Sequence, residues 1–463
     1  MLSSSLLVGC GDDNDSSGNT AAIDRFPAEG VFLPYQVLRD DLLDHKSQQP
    51  LEIRNGGYGS GMAGHPSNAT RFYALTDRGP NASFTGEHGK GKKFPTPDYT
   101  PRIGLFEVKP GGAVRQIKTL RLKRPDGTPI SGLPNHSALG GTGETPYQAN
   151  GQPLLEDNSK PYDDDTNPFR LDDYGLDGEG LVALPDGSFW VSDEYGPHIV
   201  HFNAEGREIE RINPFETDDR TRMNLPAEFA NRRPNRGMEG LTLTPDGTTL
   251  VGIMQSTMHN PSNTVKDLAI TRIVTVNLES GETGQYLYRQ ETPQNANSSI
   301  VALSATEFLV IERDGQFLYG GPNGPEAAAP DAQKHVYRTN LANATNLETV
   351  ATGGERVQDP ELGLTLAGKT LEEVVLEQGW SALANAGIQP VSKSLVVDMV
   401  AEVSYPHDKM EGLWLIDDQH LGVLNDDDFA TWSTNGKLEQ KMLDANTVAG
   451  NRLFIVDADV TTE

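Results

Sequence analysis

The chain has 463 residues, with 66 acidic against 38 basic side chains, a formal net charge of −28, and 36% hydrophobic residues. That length buries a large core, and the acidity excludes nucleic acid and anionic membrane surfaces as docking partners, because a phosphate backbone needs a basic face. Gly (48) and Pro (30) are plentiful, as in an all-β chain with many turns, and the excess of carboxylates suits bound cations instead.

The first element is a short apolar run ending "LLVGC" at Cys10, the only cysteine, so no internal disulfide forms. The run resembles the lipobox of bacterial lipoproteins, and "GDDNDSSGNT" after it reads as a flexible tether. This implies a signal remnant and tether over residues 1–22, a folded domain over 23–463, and a bacterial envelope protein whose membrane contact is a lipid on Cys10. No later apolar run approaches membrane-spanning length.

"RFYALTDRGPN" (71–81) reads as the second strand of a hairpin whose first strand is the irregular "RNGGYGSGMA". "DGEGLVALPDGSFWVSDEYGPH" (177–198) is a complete copy: Glu-Gly, an apolar run, Pro-Asp-Gly, a second run, then acidic residues. "GMEGLTLTPDGTTLVGIMQS" (237–256) repeats it, and "SSIVALSATEFLVIERDG" (298–315) keeps the rhythm with serine in place of Glu-Gly. The stretch 330–405 is less regular and holds a helical pattern, "KTLEEVVLEQGWSALANAG" (369–387). "KMEGLWLIDDQHLGVLNDDDF" (409–429) is a further copy, and "NRLFIVDADV" is placed to pair with "AEGVFLPYQ" near the N-terminus.

Strands following the hairpins complete four-stranded units, the pattern of a β-propeller. The expected fold is therefore all-β: a single propeller of about six blades, the sixth drawn from 330–405, with a short helical insertion and long acidic loops over 124–176 and 212–236. In such a fold the start of each innermost strand and the end of its neighbour meet at one mouth. Glu179, Glu239 and Glu411 should then converge with Asp77, Asp193, Glu194, Glu312, Asp426 and Asp427. So many buried carboxylates need protons or a cation. Ca2+ fits, because it takes about six to eight oxygen ligands in flexible geometry; the histidines lack zinc-ligand spacing.

The motifs "LTDRGPN", "DGEGL…FWVSDEYGPH", "NRGMEGLTLTPDG", "IERDG" and "KMEGL…VLNDDDF" closely resemble the bacterial phytase-like family, termed esterase-like activity of phytase. The resemblance spans about residues 50 to 430 and implies a secreted or envelope propeller with phosphoesterase or esterase activity.

Phosphate ester hydrolysis needs neutralisation at the phosphoryl oxygens, and bound calcium beside arginines supplies it. Arg78, Arg236 and Arg313 stand next to the acidic motifs, as does Lys409. His198 and His407 are candidate general acid or base groups. A Gly-x-Ser-x-Gly elbow, Walker and Rossmann motifs are absent. The sequence thus supports a monomeric calcium-dependent hydrolase of a small anionic ester. The alternative is a non-catalytic propeller that binds a ligand or partner, with a structural calcium.

Overall fold

In the computed structural model, residues 22–461 are described; Cys10 and its tether lie outside them. Five sheets of four or more strands carry the architecture. The first comprises Gly61–His65, Asn68–Leu75, Arg102–Val108 and Val114–Arg121. The second runs Gly178–Ala183, Phe189–Asp193, Ile199–Phe202 and Glu208–Asn213, with Thr221–Asn224 added in parallel at its edge. The third contains Met238–Leu243, Thr249–Met254, Ile270–Asn277 and Thr283–Arg289. The fourth contains Ala296–Ala302, Glu307–Arg313, Lys334–Asn340 and Ser392–Asp398. The fifth takes Gly412–Leu415, His420–Leu424 and Arg452–Asp457 from the C-terminal part of the chain and Val31–Phe32 from the N-terminal part. That last pairing, Val31 opposite Leu453, is the one the end segments suggested.

Local chemistry fixes these hairpins. In "PDG", the Asp186 carboxylate accepts the Ser188 backbone N–H at 2.9 Å, and Gly187 takes φ +87°. Asp246 and Gly247 repeat the turn in the third sheet. The glycines of two Glu-Gly pairs have a second reason. A Cβ on Gly180 would lie 2.5 Å from the Leu241 backbone nitrogen, and one on Gly240 would lie 2.8 Å from that of Ile300. The innermost strands approach backbone to backbone there, which only glycine permits.

These innermost strands contact one another in a circuit: first to second, second to third, third to fourth, fourth to fifth, and fifth back to first. The arrangement is propeller-like. Within the stretch 330–405, Arg356–Asp359, Gly363–Leu366 and Lys369–Thr370 form a separate three-stranded sheet, while Lys334–Asn340 and Ser392–Asp398 pair with each other and complete the fourth sheet. The expected helix lies between them, as Leu371–Gln378 and Trp380–Asn385 separated by Gly379. Thr370 and Glu373 form its capping box. A buried ion pair, Arg272 to Glu372 at 2.8 Å, ties this insertion to the third sheet.

Candidate metal and anion site

The strand registers define the site. First and second strands pair at Gly61 with Leu75, Gly180 with Ser192, Gly240 with Ile253, Ser299 with Ile311, and Gly412 with Leu424. One residue before each of these first-strand positions stand Ser60, Glu179, Glu239, Ser298 and Glu411. Two residues beyond each second-strand position stand Asp77, Glu194, Gln255, Arg313 and Asp426. All ten are buried or nearly so. In the second, third and fourth sheets a bulge at the first-strand position shifts the register.

Glu179, Glu239 and Glu411 each offer a carboxylate oxygen within 4.8 Å of the others, and so do Asp177, Glu179 and Glu194. Glu179 belongs to both groups. The donor set suits a hard divalent cation. Two buried oxygens without hydrogen-bond partners, Ser60 Oγ and Glu411 Oε2, strengthen the fit.

Polar neighbours knit the remainder. Gln255 Nε2 donates to Glu194 Oε1 and Glu239 Oε2, each at 2.7 Å. Arg313 pairs with Glu411, lies 3.7 Å from Glu239, and donates to Ser298 Oγ at 3.1 Å. Lys409 Nζ is 2.6 Å from Asp426 and 2.8 Å from Asp428. Arg78 Nε is 3.2 Å from Asp177, and Arg78 Nη1 is 3.3 Å from Glu144.

Burial dominates the electrostatics. It pushes Glu179 well above the carboxylate range, and Glu239, Glu194, Asp177 and Glu411 push the same way. Glu194 is raised likewise by burial and by Glu239. Burial raises Asp77 well above its usual value, with Asp426 and Asp177 adding. Burial lifts Glu411 to about 8, although Lys409 and Arg313 oppose it. Arg313 keeps its proton more tightly than usual, because Glu411 and Glu239 outweigh its own burial.

The sequence-predicted residues thus divide. Glu179, Glu239, Glu411, Asp77, Glu194, Asp426, Arg78 and Arg313 come together. Asp193 instead accepts the backbone N–H groups of Gly196 and His198, and Asp427 accepts those of Gly57 and Phe429. Glu312 binds Lys393 at 2.7 Å and the Tyr288 hydroxyl at 2.9 Å. Each neighbours a ring residue in sequence, and alternation along a strand sends adjacent side chains to opposite faces. His198 is fully buried against Asn135 and Leu139, and His407 packs edge-on to Tyr405; burial depresses both, so neither is charged at neutral pH. Arg236 is half-buried and enters no ion pair among the described residues. Ser60, Asp177 and Ser298 were missed. For Ser60 the available signal was the pairing of "GSGM" with "DGEGL" and "GMEGL", because Ser-Gly there occupies the place of Glu-Gly.

The family described as Phytase-like, esterase-like activity of phytase, matches residues 53–429. The chain belongs to this family. A family-independent comparison finds a curated relative, an "Uncharacterized secreted protein" of Arthroderma benhamiae, 29% identical over 248 residues, 44% of this chain and 46% of that one. The chain therefore spans about half the length of the curated relative it matches. Among solved structures, the PQQ-bound aldose sugar dehydrogenase of Streptomyces coelicolor is similar at 10% identity, with 93% of this chain and 99% of that chain covered and a TM-score of 0.30. The periplasmic gluconolactonase of Pseudomonas aeruginosa is similar at 12% identity, with 92% and 99% covered and the same TM-score of 0.30. Among the described residues no helix is long and apolar enough to cross a membrane.

Proposed function

We propose that this protein is a five-bladed propeller hydrolysing phosphate esters with a calcium ion held at its axis, in the bacterial envelope or secreted, as a monomer. The observation that carries the reading is the convergence of Glu179 with Glu239 and Glu411 on one side and Asp177 and Glu194 on the other. Family membership supports a hydrolase, and the relative named as secreted supports the location.

Glu179 would be the central ligand, with Glu239, Glu411, Asp177, Glu194 and Ser60 as the oxygens around it. Bound there, the ion supplies Lewis-acid neutralisation of phosphoryl oxygens and a more acidic bound water. The chain's residues do the rest. Arg313 offsets the Glu239 and Glu411 charges, so the pocket tolerates an anion. Arg78, fixed between Asp177 and Glu144, would offer its guanidinium to a phosphoryl oxygen. Asp77, whose buried carboxyl holds its proton well above the usual range, would give that proton to a departing alkoxide.

The test is a screen of phosphate monoesters, phosphodiesters and lactones, before and after chelation and with calcium restored. Chelator-sensitive phosphate release is the expected result; a metal-free purified protein with no such turnover would refute the reading. The second reading, a ligand-binding propeller with a structural calcium, draws on the burial of the carboxylates (Glu239 1% and Glu411 2% exposed). Calcium-dependent stability without turnover of any ester would select it.

A further inference from the structure

Where Val31–Phe32 pairs with the last strand of the fifth sheet, a cavity of about 210 Å³ opens between the segments 32–35 and 447–451, with Arg54 and Asp427 in its wall. The chain sets both sides firmly. Leu33 N donates to the Asn451 carbonyl at 2.8 Å, and Val37 pairs opposite Arg54. Phe32, Pro34 and Val448 make much of the lining apolar. Gly450 keeps the space open, because a Cβ there would lie 3.2 Å from the Phe32 ring and 3.5 Å from an Arg54 guanidinium nitrogen.

One polar group in this wall is left incomplete. Asp427 is 1% exposed, and its Oδ1 accepts the backbone N–H groups of Gly57 at 2.7 Å and Phe429 at 3.0 Å. Its Oδ2 has no hydrogen-bond partner among the described residues, and Gly56 leaves that oxygen uncovered, since a Cβ there would lie 2.6 Å from it. A buried carboxylate oxygen without a donor is costly, so the site favours a ligand that brings one. Across the cavity, Arg54 gives Nε to Glu52 at 2.6 Å and Nη1 to the Ala449 carbonyl at 3.2 Å, which leaves Nη2 without a partner among the described residues. Two aromatic rings flank the opening. Arg54 stacks on Tyr35 at 4.0 Å and Arg452 on Phe32 at 5.0 Å, yet Tyr35 stays 47% exposed and Phe32 42%.

We infer that this cavity binds a single neutral sugar ring, one hydroxyl donating to Asp427 Oδ2 and another accepting from Arg54 Nη2, with the C–H face of the ring against Phe32 and Val448. The lining excludes the other classes. An anion would meet the Asp427 carboxylate and an ammonium would meet the Arg54 guanidinium, whereas a polyol supplies donor and acceptor together. A wholly apolar molecule would leave Oδ2 unsatisfied. The volume is below the range of about 300–1,000 Å³ typical of drug-sized ligands, which suits one ring. Polarised C–H groups pack well on the electron-rich faces of aromatic rings. Binding here is independent of the proposed hydrolysis, because Asp426 turns to Lys409 and Asp427 takes no part in the carboxylate groups at the axis.

The experiment titrates the full chain with the methyl glycosides of glucose, galactose, mannose and N-acetylglucosamine, and with choline and acetate as charged comparators, following saturation transfer by NMR. Wild type should bind at least one glycoside at millimolar concentration and neither comparator. Gly450→Val, which fills the cavity beside Phe32, should abolish that binding. Asp427→Asn keeps an acceptor for Gly57 and Phe429 but turns the free oxygen into a donor, and should cost about tenfold in affinity. Tyr35→Ala should cost about threefold. Thermal melting shows which variants fold; if Gly450→Val does not, Tyr35→Ala at its exposed position carries the test. No glycoside bound by wild type, or glycoside binding unchanged in the folded variants, would overturn the site. Choline or acetate bound in place of a sugar would overturn the ligand class.

Discussion

The two ends of the central channel are built by the same five strands and hold opposite chemistry. Two residues along from Ser60, Glu179, Glu239, Ser298 and Glu411, each strand presents an apolar side chain: Met62, Leu181, Leu241, Ile300 and Leu413. These side chains, with Ala63, Ala183, Leu243 and Leu415, line a cavity of about 340 Å³ at the turn end. One cavity is thus lined from all five innermost strands. At the acidic end, desolvation is the leading cause of the upward shift at Glu179, Glu194 and Glu411. One end stabilises the ring, and the other stores a demand for positive charge.

Breaking the internal neutralisation at the acidic end should have the largest effect. Arg313→Met leaves Glu239 and Glu411 buried without their guanidinium, and removing one partner of such a pair costs about 3–5 kcal/mol. Urea melts in chelator should show that loss, with partial recovery when calcium is added. At the apolar end, Leu241→Ala should cost about 2–5 kcal/mol through the cavity it opens. Unlike Arg313→Met, that variant should gain as much from calcium as wild type does, which separates the two ends in one assay.

A pH series sharpens the same contrast. In chelator, Glu411 holds its proton to about 8 against an ordinary 4.5, Asp427 to about 7 and Asp193 to about 6 against 3.8. The folded chain therefore binds more protons than the unfolded chain over that range. Stability from these groups is complete below about pH 4 and is lost as pH rises to about 8. Melting temperature in chelator should fall across that window. Calcium must displace the Glu411 proton, so its stabilising shift should grow with pH. The smallest effect belongs to Ser60→Ala. Removing a buried hydroxyl with no partner should leave stability in chelator unchanged or slightly higher, by up to about 1 kcal/mol, while reducing the calcium shift.

The repeat made much of this legible in sequence. Glu179, Glu239 and Glu411 could be singled out because Glu-Gly recurs for a geometric reason: the Glu faces the axis and the Gly lets neighbouring backbones touch. The sheet-closing pair of terminal segments was legible from their apolar runs. Choosing between adjacent acids was not, because "SDE", "IER" and "NDDD" do not reveal which residue is two beyond the ladder position. Glu194 rather than Asp193, Arg313 rather than Glu312, and Asp426 rather than Asp427 follow only once bulge and register are known. How 330–405 folds was illegible for a different cause. The segment is interrupted by a helix anchored through Arg272 and Glu372, so strands about fifty residues apart belong to one sheet. Burial of His198 and His407 is tertiary and left no local pattern.

The central claim, an ion on Glu179, is tested most directly by melting wild type and Glu179→Gln with calcium and with chelator. Glu179 joins both carboxylate groups, so its neutral isostere should melt near wild type in chelator and lose most of the calcium-dependent rise. Identical calcium shifts in the two proteins would contradict the account.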